Sequence, residues 1–281
     1  MRLCTFRSPG APPAGWPGRV DGDHVVRLKA PDLTAVLARR GRVPEGPALA
    51  IAEVELLAPV PQPPSVRDFF AFEQHIATAR AARGATVPPE WYEFPVFYFS
   101  NPTAIAGPGA QIPYPEGTAM LDYELEVAAV IGAGEEIGGF TIMNDWSARD
   151  IQRKEVRVGL GPAKAKDFAT SIGPVLVTPD EFDGTEAVMT ARVNGEERSR
   201  GNLRDIHFPW AAIIAQARRN TVLRPGEIIG SGTVGTGCIL EHGDGRWLVP
   251  GDTVELEVAG IGVLRNQVGP PLSAAAPGSG S

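Results

Sequence analysis

The stretch Leu121-Asp122-Tyr123-Glu124-Leu125-Glu126-Val127-Ala128-Ala129-Val130-Ile131 constrains this chain more than any other. Its second half is an unbroken apolar run, which reads as strand inside a core. Side chains alternate along a strand, so Tyr123, Leu125 and Val127 point one way and Glu124 and Glu126 the other. Two like charges side by side on one sheet face repel each other. That face is either solvated or built around a cation, and these residues alone leave both readings open.

The rest of the chain is written for a sheet. Gly and Pro contribute 33 and 27 residues, which predicts many turns and short strands rather than long helices. A length of 281 residues and a hydrophobic fraction of 43% suit one large domain or a catalytic domain with a small companion. We expect an α+β, β-rich fold in three parts: a small N-terminal domain over 1–60, a catalytic domain over 61–270 and a disordered tail over 271–281. In the first part, Asp21-Gly22-Asp23 predicts a hairpin, and Pro31-Asp32 opens a short helix, LTAVLARR, that stops before Gly41. Val54–Leu57 reads as a strand, and Pro59, Pro61, Pro63 and Pro64 mark the linker.

In the second part, helices are expected over Phe69–Arg83 (closed by Gly84), from about Ser147 to Glu155, and over Phe208–Arg219. Strands are expected at Pro95–Ser100, Leu121–Ile131, Phe140–Asn144, Gly173–Val177, Val188–Val193, Ile228–Gly230, Gly237–Leu240 and Val254–Val258. The tail SAAAPGSGS lacks residues that form a core.

A net charge of −7 and a pI near 5.2 disfavour nucleic acid or an anionic membrane as partner. Clustered carboxylates add to such a charge until a cation neutralises them. Cys4 and Cys238 form no CxxC and read as small packing residues. The segment MRLCTFRSPG has no apolar core of a secretory signal, and no stretch approaches the ~20 apolar residues of a membrane helix, so a cytoplasmic protein is expected.

Two further segments carry candidate chemistry. In Asn144-Asp145-Trp146-Ser147-Ala148-Arg149-Asp150-Ile151-Gln152, Asp145 falls where a strand gives way to a helix; it is either a functional carboxylate or a helix N-cap. In Val66–His75, Asp68 stands at the predicted start of a helix and His75 two turns along. With an unperturbed pKa of about 6.5, His75 suits a general base, and only 4 histidines compete. The plainer reading makes Asp68 a cap and His75 an ordinary helical residue.

Taken in order, Asp68-Phe69-Phe70 with His75, the LDYELEVA strand, NDWSARDIQ and Gly161-Pro162-Ala163-Lys164-Ala165-Lys166-Asp167-Phe168 resemble the fumarylacetoacetate hydrolase family. The resemblance covers the whole second part, and the leading module fits that family's small N-terminal domain. It implies a mixed β-sheet roll or barrel as the catalytic domain. It also implies one divalent cation held by Asp68, Glu124, Glu126 and Asp145: Mg²⁺ first, with Ca²⁺ or Mn²⁺ as alternatives. Oxygen-only ligands suit a hard cation rather than zinc or copper.

The same resemblance makes His75 the hydrolytic base and Glu241, beyond Gly232-Thr233, its partner. Smaller relatives carry the glutamate three residues after the histidine; Thr78 stands there in this chain, which favours the long-range pairing. Lys166 matches the lysine that stabilises developing negative charge. Tyr98, Gln152, Thr233 and, more distantly, Arg83 match substrate contacts. A tyrosine expected a few residues after Gln152 is replaced by Val156 or Arg157, which puts fumarylacetoacetate itself in doubt as substrate.

Gly230-Ser231-Gly232-Thr233-Val234-Gly235 is a GxGxxG, but the turn-rich TGCILEHGDGRWLVPGD after it does not suit a dinucleotide site. These glycines are read instead as letting backbone approach the substrate.

The implied reaction is hydrolysis of a C–C bond in a β-diketone or acylpyruvate. Its rivals are decarboxylation of a 2-oxo acid, hydration or isomerisation of a 2-oxo-alkenoate, and a non-catalytic binding protein on the same scaffold. The expected partners are a small keto acid or diketone and a second copy of the chain in a homodimer. Phe69, Phe70, Phe72, Trp91, Tyr92 and Phe97 are candidates for an apolar pocket wall, and Thr78–Glu93 for a lid over it.

Overall fold

The architecture follows from where the apolar run lies. In the computed structural model, which describes residues 1–82 and 84–271, Leu125–Ile131 is a strand buried along its whole length. It pairs antiparallel with Ile137–Asp145 on one side and with Ile228–Gly230 on the other. Alternation then divides it between two cores. Leu125, Val127, Ala129 and Ile131 enter the larger one, while Ala128 and Val130 face Val66, Met143, Ile172 and Ile228 in the smaller. Glu124 and Glu126 continue the even-numbered face, so they stand at the end of the smaller core.

These strands are the centre of a twelve-stranded mixed sheet. Beyond Ile228–Gly230 come Val66–Phe69, paired in parallel, and the edge strand Phe97–Ser100. On the other side, Ile137–Asp145 pairs with Thr170–Val177, and Thr170–Val177 pairs with Arg2–Arg7. The N-terminal strands Arg2–Arg7, Trp16–Asp21, His24–Leu28 and Glu45–Ala50 follow as an antiparallel meander, with the expected hairpin joining Asp21 to His24. The first 60 residues therefore extend the sheet of the second part. Leu3, Leu28, Leu33, Val36 and Leu37 pack in the same smaller core as Ala128 and Val130. A second sheet of five strands, including Val188–Val193 and Thr253–Val258, covers the other face and encloses the larger core.

Five helices punctuate the sheets among the described residues: α1 Leu33–Ala38, α2 Glu73–Ala81, α3 Arg149–Val158, α4 Trp210–Arg218 and α5 Ile239–His242. Asp32 caps α1 by accepting from the amide of Ala35 at 2.7 Å.

Four expectations are corrected. The helix placed from Phe69 begins only at Glu73, because Val66–Phe69 is needed as a strand between Ile228–Gly230 and Phe97–Ser100, a place that suits its aromatic and β-branched residues. The helix placed from Ser147 begins at Arg149, since Ser147–Ala148 pairs with Leu121–Asp122. The strand placed at Gly237–Leu240 is instead a non-helical Gly237-Cys238 lead into α5, which starts at Ile239. Pro271, assigned to the tail, ends the strand Gly262–Pro271; residues 272–281 lie outside the described residues. No helix among the described residues is long and apolar enough to cross a membrane.

Candidate active site and metal centre

Four carboxylates meet where the central strands end. Asp68 comes from Val66–Phe69, Glu126 from Leu125–Ile131, Glu124 from the residue just before that strand, and Asp145 from the last position of Ile137–Asp145. One oxygen from each lies within 4.8 Å of the others, and all four residues are buried. Asp68 is thus a strand residue, not a helix cap. The capping role for Asp145 also falls away, because α3 starts four residues later behind Ala148. Register explains the convergence: Gly230 sits opposite both Ala128 and Asp68. A Cβ built on Gly230 would lie 2.4 Å from Asp68 Oδ1 and 3.0 Å from Glu126 Oε2, so the bare backbone makes room for the carboxylates.

The cluster has too few donors of its own. Lys166 Nζ donates to Glu124 Oε2 and Asp145 Oδ2, and Tyr98 donates its hydroxyl to Asp145. Gly232 N donates to Glu126 Oε2 at 3.0 Å, and the Arg149 guanidinium lies 2.8 Å from Glu124 Oε1. Asp68 Oδ1, Glu126 Oε1 and Asp145 Oδ1 remain buried with no partner among the described residues. Orphaned buried carboxylate oxygens are costly. Three of them converging from three strands, with a fourth carboxylate beside them, match the donor set of a hard divalent cation. The residues present therefore fit such an ion.

Electrostatics point the same way. Burial and the carboxylates around them hold Asp68 and Glu126 well above the usual carboxylate range. Burial also raises Asp145, against the pull of Lys166. Glu124 is buried too, but Lys166 and Arg149 outweigh that and push it below its ordinary value. Burial would neutralise Lys166, yet Asp145 and Glu124 hold its ammonium above the ordinary lysine range.

His75, on α2, and Glu241, on α5, lie 166 residues apart in sequence, and the imidazole Nδ1 is hydrogen-bonded to Glu241 Oε1. Both side chains are at least 95% buried. The Glu241 carboxylate is fixed by the Thr236 amide at 2.5 Å and by Cys238 Sγ at 3.7 Å. His75 Nε2 has no protein partner among the described residues, and His75 lines a cavity of about 330 Å³ whose wall also contains Asp68, Glu124, Glu126 and Lys166.

Tyr98, Gln152 and Thr233 line that cavity as well, while Arg83 falls outside the described residues; Arg80, which sequence reasoning missed, lines it. Val156, in place of the absent tyrosine, forms part of the wall. Of the six aromatic candidates, Phe69, Phe70 and Phe97 reach the cavity; Phe72 and Trp91 are core, and Tyr92 is exposed. Within the segment read as a lid, Ala79 and Arg80 touch the cavity and Trp91 is tied to the Phe70 carbonyl at 2.8 Å. In the GxGxxG, Gly232 has a φ of +79°, and a Cβ there would meet the Phe69 carbonyl oxygen at 2.4 Å. No helix follows this loop directly, so it is not a dinucleotide turn. A Cβ at Gly230 or Gly232 would meet protein atoms, and Gly232 itself lines the cavity.

Asp122 was passed over, although it lies in the same acidic motif. It is fully buried and binds Arg149 Nε at 2.8 Å. Arg149 Nη1 in turn donates to Gln152 Oε1 at 3.2 Å.

Known proteins resemble this chain over most of its length. The family model "Fumarylacetoacetate (FAA) hydrolase C-terminal" matches residues 65–269. Oxaloacetate tautomerase YisK of Bacillus subtilis is 31% identical over 78% of this chain and 75% of its own length. The mitochondrial oxaloacetate tautomerase FAHD2A of Homo sapiens is 30% identical over 95% of this chain and 91% of its own. Among solved structures, fumarylacetoacetate hydrolase from Exiguobacterium antarcticum superposes with a TM-score of 0.79 at 28% identity, covering 96% of this chain and 99% of that one. A 5-carboxymethyl-2-hydroxymuconate delta-isomerase from Mycobacterium smegmatis gives 0.76, also at 28% identity, with 96% and 100% covered.

Proposed function

Because the chain belongs to the fumarylacetoacetate hydrolase family, we propose that this enzyme hydrolyses a C–C bond in a β-diketone or acylpyruvate acid with one divalent ion, Mg²⁺ before Ca²⁺ or Mn²⁺. The observation that carries this reading is the buried His75–Glu241 pair, whose imidazole lines the same cavity as Asp68, Glu124 and Glu126 of the carboxylate cluster.

Asp68, Glu124, Glu126 and Asp145 would hold the ion. When bound, it supplies Lewis-acid polarisation of chelated substrate oxygens. Glu241 fixes the His75 tautomer by accepting from Nδ1, which leaves Nε2 as the base. There His75 takes a proton from water, and the hydroxide adds to the distal carbonyl carbon. Lys166 and Gln152 donate to the oxygen that gains charge, each such donor contributing about 3 kcal/mol in a dry site. The C–C bond then breaks, its electron pair passes to the pyruvate-side enolate, and the His75 imidazolium returns the proton to carbon. Tyr98, Thr233 and Arg83 complete the proposed substrate contacts, within a catalytic part over 61–270 that follows a small module over 1–60. Family membership also supports a homodimer, which light scattering would check.

A second reading is keto–enol tautomerisation of oxaloacetate, favoured by the names of the two curated relatives above. The same base would move a proton between carbon and enol oxygen without breaking the carbon skeleton. Purified protein with Mg²⁺ should convert an acylpyruvate into two acids, and His75→Ala should lower that rate by about 10²–10⁴-fold. Unchanged turnover in His75→Ala sinks the assignment. Accelerated enol decay of oxaloacetate with no acylpyruvate cleavage selects the second reading.

A further inference from the structure

We propose that Asp122 is a positioning residue that holds the carboxylate cluster and the His75–Glu241 pair in register with each other, a role that rests on the reading of the site given above. Asp122 belongs to the short strand Leu121–Asp122 and is inaccessible to solvent. Its Oδ2 accepts from Arg149 Nε at 2.8 Å and from the Leu240 amide at 3.1 Å; its Oδ1 accepts from the Ile239 amide at 2.7 Å. Both oxygens are satisfied, whereas Asp68, Glu126 and Asp145 each keep one orphaned oxygen. Asp122 is therefore an anchor and not a fifth ligand.

One arm runs to the metal centre. The guanidinium fixed by Asp122 stands 2.8 Å from Glu124 and donates to Gln152 at 3.2 Å. Without Asp122 the arginine would have Glu124 as its principal counter-ion and would compete with a cation for it. The other arm runs to the proposed base. Helix α5 has four residues, too few to stand alone, and its N-cap Cys238 makes no side-chain capping bond. Its first two amides are instead held by a carboxylate 117 and 118 residues away in sequence. Glu241 is the next residue of that helix, so the position of the His75 partner is set through Asp122. A residue that only neutralised Arg149 would need neither amide.

The experiment reads each arm without turnover. Mg²⁺ affinity is measured by calorimetry, and the His75 Nδ1–Glu241 bond by its far-downfield proton resonance, in the full-length protein. Asp122→Asn should weaken Mg²⁺ binding by roughly 10- to 100-fold, abolish the resonance, and lower kcat at saturating Mg²⁺ more than it raises KM. Arg149→Lys, which cuts only the first arm, should weaken Mg²⁺ binding and keep the resonance. Ile239→Pro removes one donated amide at a helix position that tolerates proline, and should lose the resonance with Mg²⁺ binding kept. The last two variants decide the matter even if Asp122→Asn does not fold. The proposal is overturned if Asp122→Asn moves one readout and not the other, or neither, or if Arg149→Lys and Ile239→Pro change the same readout. Absence of acylpyruvate cleavage in the wild type would count against the proposed function and leave these two measurements to stand.

Discussion

Arg67 and Asp68 are adjacent on one strand, and both are buried, yet alternation sends them into opposite environments. Arg67 meets Glu227 and the Ser65 hydroxyl, and its guanidinium lies 5.0 Å from the ring centroid of Phe99. One cation faces one anion there. Asp68 joins three other carboxylates, whose cations are Lys166 and an Arg149 shared with Asp122. A balanced buried pair is a structural device; an unbalanced cluster of carboxylates with orphaned oxygens has the charge and donors that suit a cation. Burial alone does not separate the two, because Arg67 is 6% and Asp68 3% exposed. The balance of charge does.

The largest effect that would break this comparison comes from the balanced side. Arg67→Met leaves Glu227 charged, buried and short of its partner, and should cost about 3–5 kcal/mol of stability by denaturant titration. Mg²⁺ affinity should stay as in the wild type. Adding Glu227→Leu should restore most of the loss, since a packed apolar pair replaces a buried ion pair at little cost. A lasting drop in Mg²⁺ affinity in either variant would mean that the two faces of the strand are not independent.

Gly230→Ala ranks next. Its Cβ would press on Asp68 Oδ1 and on Met143 Cε, each at 2.4 Å, and overpacking of that kind costs about 1–3 kcal/mol. Unlike Arg67→Met, it should also weaken Mg²⁺ binding, because one of the displaced atoms is an oxygen of the proposed ligand Asp68. Asp68→Asn should show the opposite sign. Removing one of four crowded charges should stabilise the metal-free protein by about 1 kcal/mol, a rise in Tm of ~2 °C, while Mg²⁺ no longer protects against unfolding. A lower Tm in metal-free Asp68→Asn would show that the cluster is not strained by its own charge.

How much of this was legible depended on how local the cause was. Glu124 and Glu126 stood out because charge beside an apolar strand is anomalous within eleven residues. Asp145 was ambiguous because a carboxylate before a helix is also the commonest kind of cap. Asp68 was found but put on the wrong element: VRDFFAF carries no turn signal, and only pairing with strands at 97–100 and 228–230 makes its first residues extended. Helix α5 was read as a strand because its first amides are held by Asp122, far back in the chain. The sheet running unbroken from residue 2 into residues 170–177 was equally invisible, since no local pattern names a distant partner.

The smallest predicted effect is the most specific to the four carboxylates. Asp68 and Glu126 are held well above the usual carboxylate range by burial and by their neighbours. An unfolded chain releases those protons near pH 4, so between about pH 4 and the raised folded values the native state binds more protons than the unfolded one. Stability must then fall as pH rises through that window. In chelator, Tm should climb as pH is lowered from neutrality towards 5. Glu124 opposes this only below its unfolded value, because its folded pKa is depressed and its contribution is lost on further acidification. With saturating Mg²⁺ the carboxylates are deprotonated in the native state as well as in the unfolded chain across this window, so the downward slope should disappear. Arg67 and Glu227 supply the control, since Arg67→Met combined with Glu227→Leu removes both charges and should leave either slope unaltered. Calorimetric scans in chelator and in Mg²⁺ that run parallel across this range would mean that the four carboxylates do not titrate against a cation, and the distinction between the two faces of the strand would lose its physical basis.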